Sequence, residues 1–295
     1  MKILHVVGAR PNFMKVAPIM HEMGRQPEKF EQILVHTGQH YDKSMSQIFF
    51  DELELPIPDI NLEVGSGSHA QQTALIMQKF EPVLLDYKPD WVIVPGDVNS
   101  TVACALVASK LGIKVAHVEA GLRSFDRTMP EEINRIVTDH LSDLLFTTEP
   151  SGNENLAKEG ISAEKVRFVG NTMIDTLLRL LPKAEVYWNR LQQELDLNRY
   201  TLVTLHRPSN VDDPVTLQEL IGGLLRICQQ RQVLFPVHPR TRDRLLRLGY
   251  RENTLKSQGL QLLSPLGYLD FVALQAHAAL VITDSGGVQE ETTIL

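Results

Sequence analysis

Short runs of apolar, β-branched residues alternate with longer amphipathic segments along almost the whole chain. The apolar runs predict strands at 3–7, 32–36, 91–94, 114–118, 144–147, 166–169, 201–205, 233–237, 260–263 and 280–283. Helical periodicity between them is clearest at 102–111 and 173–181, and Asn99 or Ser100 is a suitable cap for the first of these. Strands that alternate with helices are typical of βαβ units, so the fold class predicted is α/β with parallel sheets.

The polar segment 182–199 interrupts this alternation and predicts an exposed helix that connects two domains. Each half then reads as a Rossmann-like unit, at 1–181 and 200–295, with a cleft between them as the expected site. The chain ends at Leu295 inside a predicted helix, so we expect the second domain to be incomplete.

Composition narrows the class of protein. Hydrophobic residues make up 43% and charged residues 22% of 295 residues, and the net charge is −7. This balance is ordinary for a globular protein and disfavours a general nucleic-acid or anionic-membrane surface. Two distant cysteines, no apolar run of about 20 residues and a strand at the N-terminus together predict a cytoplasmic protein.

Polar or charged residues follow five of the predicted strands. Open α/β sheets bind ligands beyond the carboxyl ends of their strands, so these residues are candidates for one site. They are Arg10, Asp97, Glu119, His206 and Ser285.

Two glycine-containing turns have the chemistry of anion sites. The turn at 8–12 contains Gly8 and Arg10 and precedes a helix that carries Lys15, and the segment Ser285, Gly286, Gly287 leads into the last helix. Backbone N–H groups at a helix start, together with nearby cations, suit a phosphate or diphosphate. The alternatives are a surface ion pair for Arg10 and a purely structural glycine turn at 286–287.

Several titratable residues suit proton transfer. Asp97 is an acid or base candidate or a helix cap, and Glu119 should be partly desolvated at the end of an apolar strand unless Arg123 neutralises it. Glu131 opens a helix, where the helix dipole alone explains an acidic residue. His206 lies between a strand and an Arg-Pro loop, which favours function, whereas for His238 a loop histidine is an equal alternative.

The segments around these residues resemble the non-hydrolysing UDP-N-acetylglucosamine 2-epimerase family. The matching stretches, in family order, are GARPNFMKVAP, HTGQH, PGDVNST, HVEAGLRSFDRTMPEEINR, GNTMIDT, LHRPSN, PVHPR and TDSGGVQEE. The resemblance implies a two-domain fold of the glycosyltransferase-B type that binds a UDP-sugar between its domains, requires no metal or nicotinamide cofactor, and forms a homodimer.

The resemblance also implies a reaction and roles. UDP is eliminated as the C2 proton leaves, and UDP re-adds after a proton returns to the opposite face, which converts UDP-GlcNAc to UDP-ManNAc. Asp97, Glu119, Glu131 and His206 match acid/base or leaving-group positions. Arg10, Lys15, Ser285, Gly286, Gly287 and Glu291 match nucleotide-binding positions. Gln39, Arg207 and His238 resemble a second, activating UDP-GlcNAc site, although Asp42 departs from that pattern.

Three alternatives remain at the level of sequence. In the first, the substrate is a more decorated UDP-sugar such as a diacetamido uronic acid. In the second, the chain is a glycosyltransferase of the same fold. In the third, the missing end leaves a binding module or an inactive fragment.

Overall fold

A computed structural model describes residues 1–38 and 50–295, with the backbone alone for Arg10. The chain folds into two compact units, Met1–Thr176 and Leu177–Leu295. Each unit is built around a parallel sheet. The candidate residue Gln39 lies outside the described part of the chain.

The first unit carries a sheet whose described strands follow the order β3-β2-β1-β4-β5-β6-β7. Its strands are β1 (Lys2–Val7), β2 (Glu31–His36), β3 (Ile60–Asn61), β4 (Trp91–Pro95), β5 (Lys114–Ala120), β6 (Leu144–Thr147) and β7 (Val166–Phe168). Its helices are α1 (Arg10–Gly24), α2 (His69–Tyr87), α3 (Asn99–Lys110), α4 (Pro130–Leu141) and α5 (Pro150–Lys158). A 3₁₀ turn (Ala163–Lys165) precedes β7.

The second unit carries a sheet of order β10-β9-β8-β11. Its strands are β8 (Tyr200–Thr204), β9 (Gln232–Pro236), β10 (Leu260–Leu263) and β11 (Leu280–Thr283). The helix α6 (Thr172–Glu194) leads into it, and the remaining helices are α7 (Pro208–Val211), α8 (Pro214–Cys228), α9 (Pro239–Arg247), α10 (Glu252–Ser257), α11 (Tyr268–Ala276) and α12 (Gly286–Thr292).

Each sheet reverses its strand order at one position. In the first unit β1 lies between β2 and β4, and in the second β8 lies between β9 and β11. All the strand pairs are parallel, so the chain leaves these neighbouring strands at the same edge. A crevice opens where successive connections depart in opposite directions, and this is where open α/β sheets bind ligands.

The predicted fold class, α/β with two Rossmann-like units, is confirmed. All ten predicted strands form, with ends shifted by at most two residues, and the short β3 was not predicted. The prediction that Asn99 or Ser100 caps α3 is wrong, because α3 begins at Asn99 after Val98 and has no side-chain cap. The proposed domain limits at 181 and 200 stay a prediction.

The predicted helix 173–181 and the predicted connecting helix form one continuous helix, α6, which runs through Pro182 to Glu194. A proline inside a helix costs about 3 kcal/mol. Burial offsets this cost here, because apolar residues on both sides of the proline stay on the buried face. These are Leu177, Leu180, Ala184 and Leu191, each at most 5% exposed. Of the helices in the described part of the chain, none combines the length and apolar character needed to span a membrane.

Candidate active site

The turn after β1 is held by the side chain of Asn12. Its Oδ1 accepts hydrogen bonds from the backbone N–H groups of Gly8 and Ala9, at 3.1 and 3.0 Å, and its Nδ2 donates to the carbonyl of Pro95 at 3.0 Å. A Cβ at Gly8 would lie 2.3 Å from the Oγ of Ser100, so no larger residue fits. Asn12 therefore ties the ends of β1 and β4 together at the strand-order reversal.

Glu119 occupies an unusual backbone position near the end of β5. Its φ is +74°, in the left-handed region, and the register with β6 shifts between Val118 and Ala120. This irregularity projects the carboxylate toward α1, where Oε2 lies 2.6 Å from the Nζ of Lys15. A non-glycine residue held in this region stores roughly 1–2 kcal/mol, which the surrounding structure must offset.

The alternative that Arg123 neutralises Glu119 is wrong. Arg123 points instead to Asp139, at 2.7 Å, and makes two 2.7 Å hydrogen bonds to the carboxylate of Glu159. Lys15 takes that role because the positive-φ turn directs Glu119 away from Arg123. The cation expected to hold a phosphate is therefore already bound to a carboxylate.

Asp97 follows the positive-φ residue Gly96, whose missing Cβ would stand 3.2 Å from the Nζ of Lys15. The carboxylate of Asp97 pairs with Arg135, and the side-chain amide of Asn134 donates to the Asp97 carbonyl at 2.9 Å. Asp97 therefore does not cap α3. About a quarter of its side chain remains exposed, so it is open to a ligand.

A fully buried pair lies behind these turns. His117 Nδ1 lies 2.6 Å from Oδ1 of Asp139, and His117 Nε2 lies 2.8 Å from the carbonyl of Gly96. Burial alone would raise the pKa of Asp139. The charge and hydrogen bond of His117, together with Arg123, outweigh burial and hold that pKa below its ordinary value.

The two acidic residues at the start of α4 have different surroundings. Glu132 is buried, and its carboxylate accepts from the backbone N–H groups of Ser124 and Phe125 at 2.9 and 3.0 Å. Burial acts to raise the pKa of Glu132, but these hydrogen bonds and Arg135 lower it overall. Glu131, the predicted catalytic residue, is half-buried and makes no side-chain hydrogen bond or ion pair with the described residues. Its carboxylate is available for chemistry.

In the second unit, Asp284 organises the reversal between β8 and β11. It accepts from the backbone N–H of His206 at 3.0 Å, from that of Arg207 at 2.9 Å and from the amide of Asn210 at 2.8 Å. Burial would raise the pKa of Asp284, but these bonds and the nearby imidazole lower it. His206 Nδ1 lies 2.8 Å from the same carboxylate, with 60% of the side chain exposed.

The remaining predicted residues of this unit lie near the same edge or on α9. Ser285 precedes α12, which begins at Gly286 and Gly287, and a Cβ at Gly286 would meet open space. Glu291 is buried and accepts from the hydroxyl of Tyr268 at 2.9 Å. His238 precedes α9 and accepts from the backbone N–H of Arg240 at 3.3 Å.

The structure thus brings some of the predicted residues together as two clusters, one in each unit. In the first, Lys15 pairs with Glu119 and lies beside Gly96, the residue before Asp97. In the second, Asp284 contacts His206 and Arg207 and directly precedes Ser285. Within residues 1–38 and 50–295, no group of three or more His, Cys, Asp or Glu side chains is arranged to hold a metal ion.

Sequence reasoning missed the residues that hold these clusters in place. They are Asn12, His117, Arg135, Asp139 and Asp284. Asp284 was detectable, because it sits between β11 and Ser285. His117 in β5 pairs with Asp139 in α4, 22 residues later in the sequence, and no local sequence pattern predicts this contact.

Comparison with known proteins agrees with this geometry. The family model described as UDP-N-acetylglucosamine 2-epimerase matches residues 21–295. A UDP-N-acetylglucosamine 2-epimerase homolog of Methanococcus maripaludis is 48% identical over 100% of this chain and 82% of its own length. A UDP-2,3-diacetamido-2,3-dideoxy-D-glucuronate 2-epimerase of Pseudomonas aeruginosa is 44% identical over 99% and 80%.

Solved structures give the same result. The Methanocaldococcus jannaschii UDP-GlcNAc 2-epimerase, crystallised with UDP-GlcNAc and UDP, is 45% identical and superposes with a TM-score of 0.86. The match covers 99% of this chain and 81% of that one. This chain belongs to the UDP-N-acetylglucosamine 2-epimerase family.

Proposed function

We propose that this protein interconverts UDP-GlcNAc and UDP-ManNAc by inverting the configuration at C2 of the sugar. Family membership supports the reaction class, and relatives at 44% identity carry the name UDP-N-acetylglucosamine 2-epimerase. The observation that carries the proposal is the placement of Glu119. A strained turn holds its carboxylate against Lys15, whose ammonium also lies beside Gly96, at the edge where sheets of this type bind ligands.

The reaction needs proton transfer on two faces of the sugar. A base removes the C2 proton as the C1–O bond to the diphosphate breaks, which leaves a 1,2-unsaturated sugar and UDP. An acid then delivers a proton to the opposite face of C2, and the diphosphate oxygen re-adds at C1. Two faces require two separately placed groups, and Asp97, Glu119, Glu131 and His206 are the proposed set.

Departure of UDP builds negative charge that cations and backbone N–H groups stabilise. For this role we propose Arg10 and Lys15 in the first unit and the turn formed by Ser285, Gly286 and Gly287 in the second. We propose that Glu291 binds the nucleotide by accepting hydrogen bonds from its ribose hydroxyls. Lys15 would then stabilise both the Glu119 carboxylate and the leaving diphosphate. A second, activating UDP-GlcNAc on Gln39, Arg207 and His238, a homodimer and a cytoplasmic location also remain proposals.

One other substrate has specific support. The Pseudomonas aeruginosa relative named for a diacetamido glucuronate is as similar as two relatives named for UDP-GlcNAc, at 44% identity. Both substrates place the same proton at C2 next to the same diphosphate. Enzymes for the two substrates therefore share the proposed chemistry at C1 and C2 and differ in the residues that contact the rest of the sugar.

The test is incubation with UDP-GlcNAc in deuterated water, followed by NMR of the sugar C1 and C2 positions. We expect UDP-ManNAc with deuterium at C2. Asp97→Asn and Glu119→Gln should each slow C2 exchange by about 10²–10⁴-fold while UDP still binds. The matched control is Glu22→Gln, which changes an exposed carboxylate paired with Arg25. If C2 exchange occurs with the diacetamido sugar and not with UDP-GlcNAc, the diacetamido sugar is the substrate. If C2 exchange occurs with neither sugar, the proposal is wrong.

A further inference from the structure

His117 lies in β5 two residues before Glu119, and its ring is fully buried. Nδ1 faces Oδ1 of Asp139 at 2.6 Å, and Nε2 faces the carbonyl oxygen of Gly96 at 2.8 Å. A carbonyl oxygen only accepts hydrogen bonds. Nε2 must therefore carry a proton and donate it to Gly96.

The other partners of the Asp139 carboxylate decide whether Nδ1 of His117 or Asp139 carries the proton between them. Oδ2 of Asp139 accepts from the backbone N–H of Gly121 at 3.1 Å and pairs with Arg123 at 2.7 Å. Two donors, one of them a guanidinium, stabilise a carboxylate and disfavour a protonated acid. The proton therefore resides on Nδ1, and His117 is an imidazolium. Charges then alternate through His117, Asp139, Arg123 and the exposed Glu159, so this cluster is neutral as a whole.

The contact to Gly96 has a direct bearing on Asp97. Gly96 adopts φ +65° and immediately precedes Asp97, so its carbonyl orientation sets the direction in which the Asp97 side chain leaves the strand. From the other side, Arg135 and Asn134 of α4 contact the carboxylate and carbonyl of Asp97. Because α4 also supplies Asp139, the same helix contacts Asp97 directly and, through His117, the turn before it.

We infer that His117, held as an imidazolium by Asp139, is a positioning residue that fixes the Gly96–Asp97 turn for proton transfer at C2. The inference rests on the proposed function, since it assigns a geometric requirement to Asp97. Misplacing a reacting group by about 1 Å can cost about 10²-fold in rate. The effect should fall on kcat, because His117 itself is buried away from any ligand.

Two substitutions separate the contacts of the ring. In His117→Gln the side-chain amide nitrogen reaches the place of Nε2 and still donates to Gly96, whereas in His117→Asn it reaches the place of Nδ1 and contacts Asp139 only. Both variants remove the buried ring, so each is the stability control for the other. We expect His117→Asn to lower kcat about 10–100-fold with KM within about twofold, and His117→Gln to stay within about threefold of the unsubstituted protein.

The ring itself provides a readout that does not depend on turnover. ¹⁵N NMR of the histidine-labelled protein should show both nitrogens of His117 protonated at neutral pH. Hydrogen exchange of the Gly96 amide, which donates to the carbonyl of Val118 at 2.9 Å, should accelerate in His117→Asn and much less in His117→Gln.

These measurements distinguish two kinds of failure. If the unsubstituted protein shows no C2 exchange, the proposed function fails, and the ring nitrogens and Gly96 exchange still decide the positioning role. A neutral His117 ring, or equal kcat and equal Gly96 exchange in the two variants, overturns the inference whatever the substrate is.

Discussion

The ammonium of Lys15 lies 2.6 Å from the carboxylate of Glu119, and the two side chains are only 9% and 11% exposed. Removing one partner of a buried pair leaves the other charge uncompensated, at a cost of about 3–5 kcal/mol. Lys15→Met should therefore lower the free energy of unfolding by about 3 kcal/mol. Adding Glu119→Gln should restore at least about 1 kcal/mol, because the double variant carries no unpaired charge. Urea denaturation of the four proteins of this cycle measures the coupling, and simple additivity would contradict it.

The left-handed backbone of Glu119 predicts an inverted order of two substitutions. Glycine normally destabilises a strand relative to alanine by roughly 0.5–1 kcal/mol. At φ +74° the order should reverse, with Glu119→Gly about 1 kcal/mol more stable than Glu119→Ala, because glycine alone adopts this conformation without strain. The denaturant midpoints of the two variants show which of them is more stable. The usual order would mean that the turn relaxes when the carboxylate is removed.

Glu131 and Glu132 are adjacent and should respond in opposite ways. Glu132→Gln weakens two backbone hydrogen bonds and the contact with Arg135, so we expect a loss of about 2 kcal/mol in stability. Glu131→Gln should leave stability unchanged and lower turnover. Thermal unfolding and C2 exchange measured on both variants test this division, which fails if Glu131→Gln retains full turnover.

His5 makes the stability of the first unit depend on pH. Burial lowers the pKa of His5 from 6.5 to about 4, with Gln32 acting weakly in the opposite direction. The unfolded chain therefore binds more protons between these values, and stability falls as the pH drops from 6.5 to 4. The loss is about 3 kcal/mol over that window and is absent above it. His5→Leu should remove this part of the slope, as urea unfolding at pH 7 and pH 4.5 would show. Equal slopes in both proteins would contradict the assignment.

Much of the framework was predictable because it depends on local patterns. Apolar, β-branched runs marked the strands, and polar residues at strand ends indicated that Asp97 and Glu119 lie at the same edge of the sheet. The partners of these residues were not predictable. The positive φ of Glu119 turned it from Arg123 toward Lys15, and that conformation leaves no signature in the residue type. Likewise, the contact of Arg135 with Asp97 depends on how α4 packs against α3 and β5.

The proposed residues are divided between two compact units. The carboxylates Asp97, Glu119 and Glu131 belong to the first, whereas His206 and the glycine turn after Ser285 belong to the second. Under the proposed function, a molecule with either unit unfolded lacks part of the catalytic set. Loss of activity on heating should therefore track the less stable unit, even while the other still retains its secondary structure.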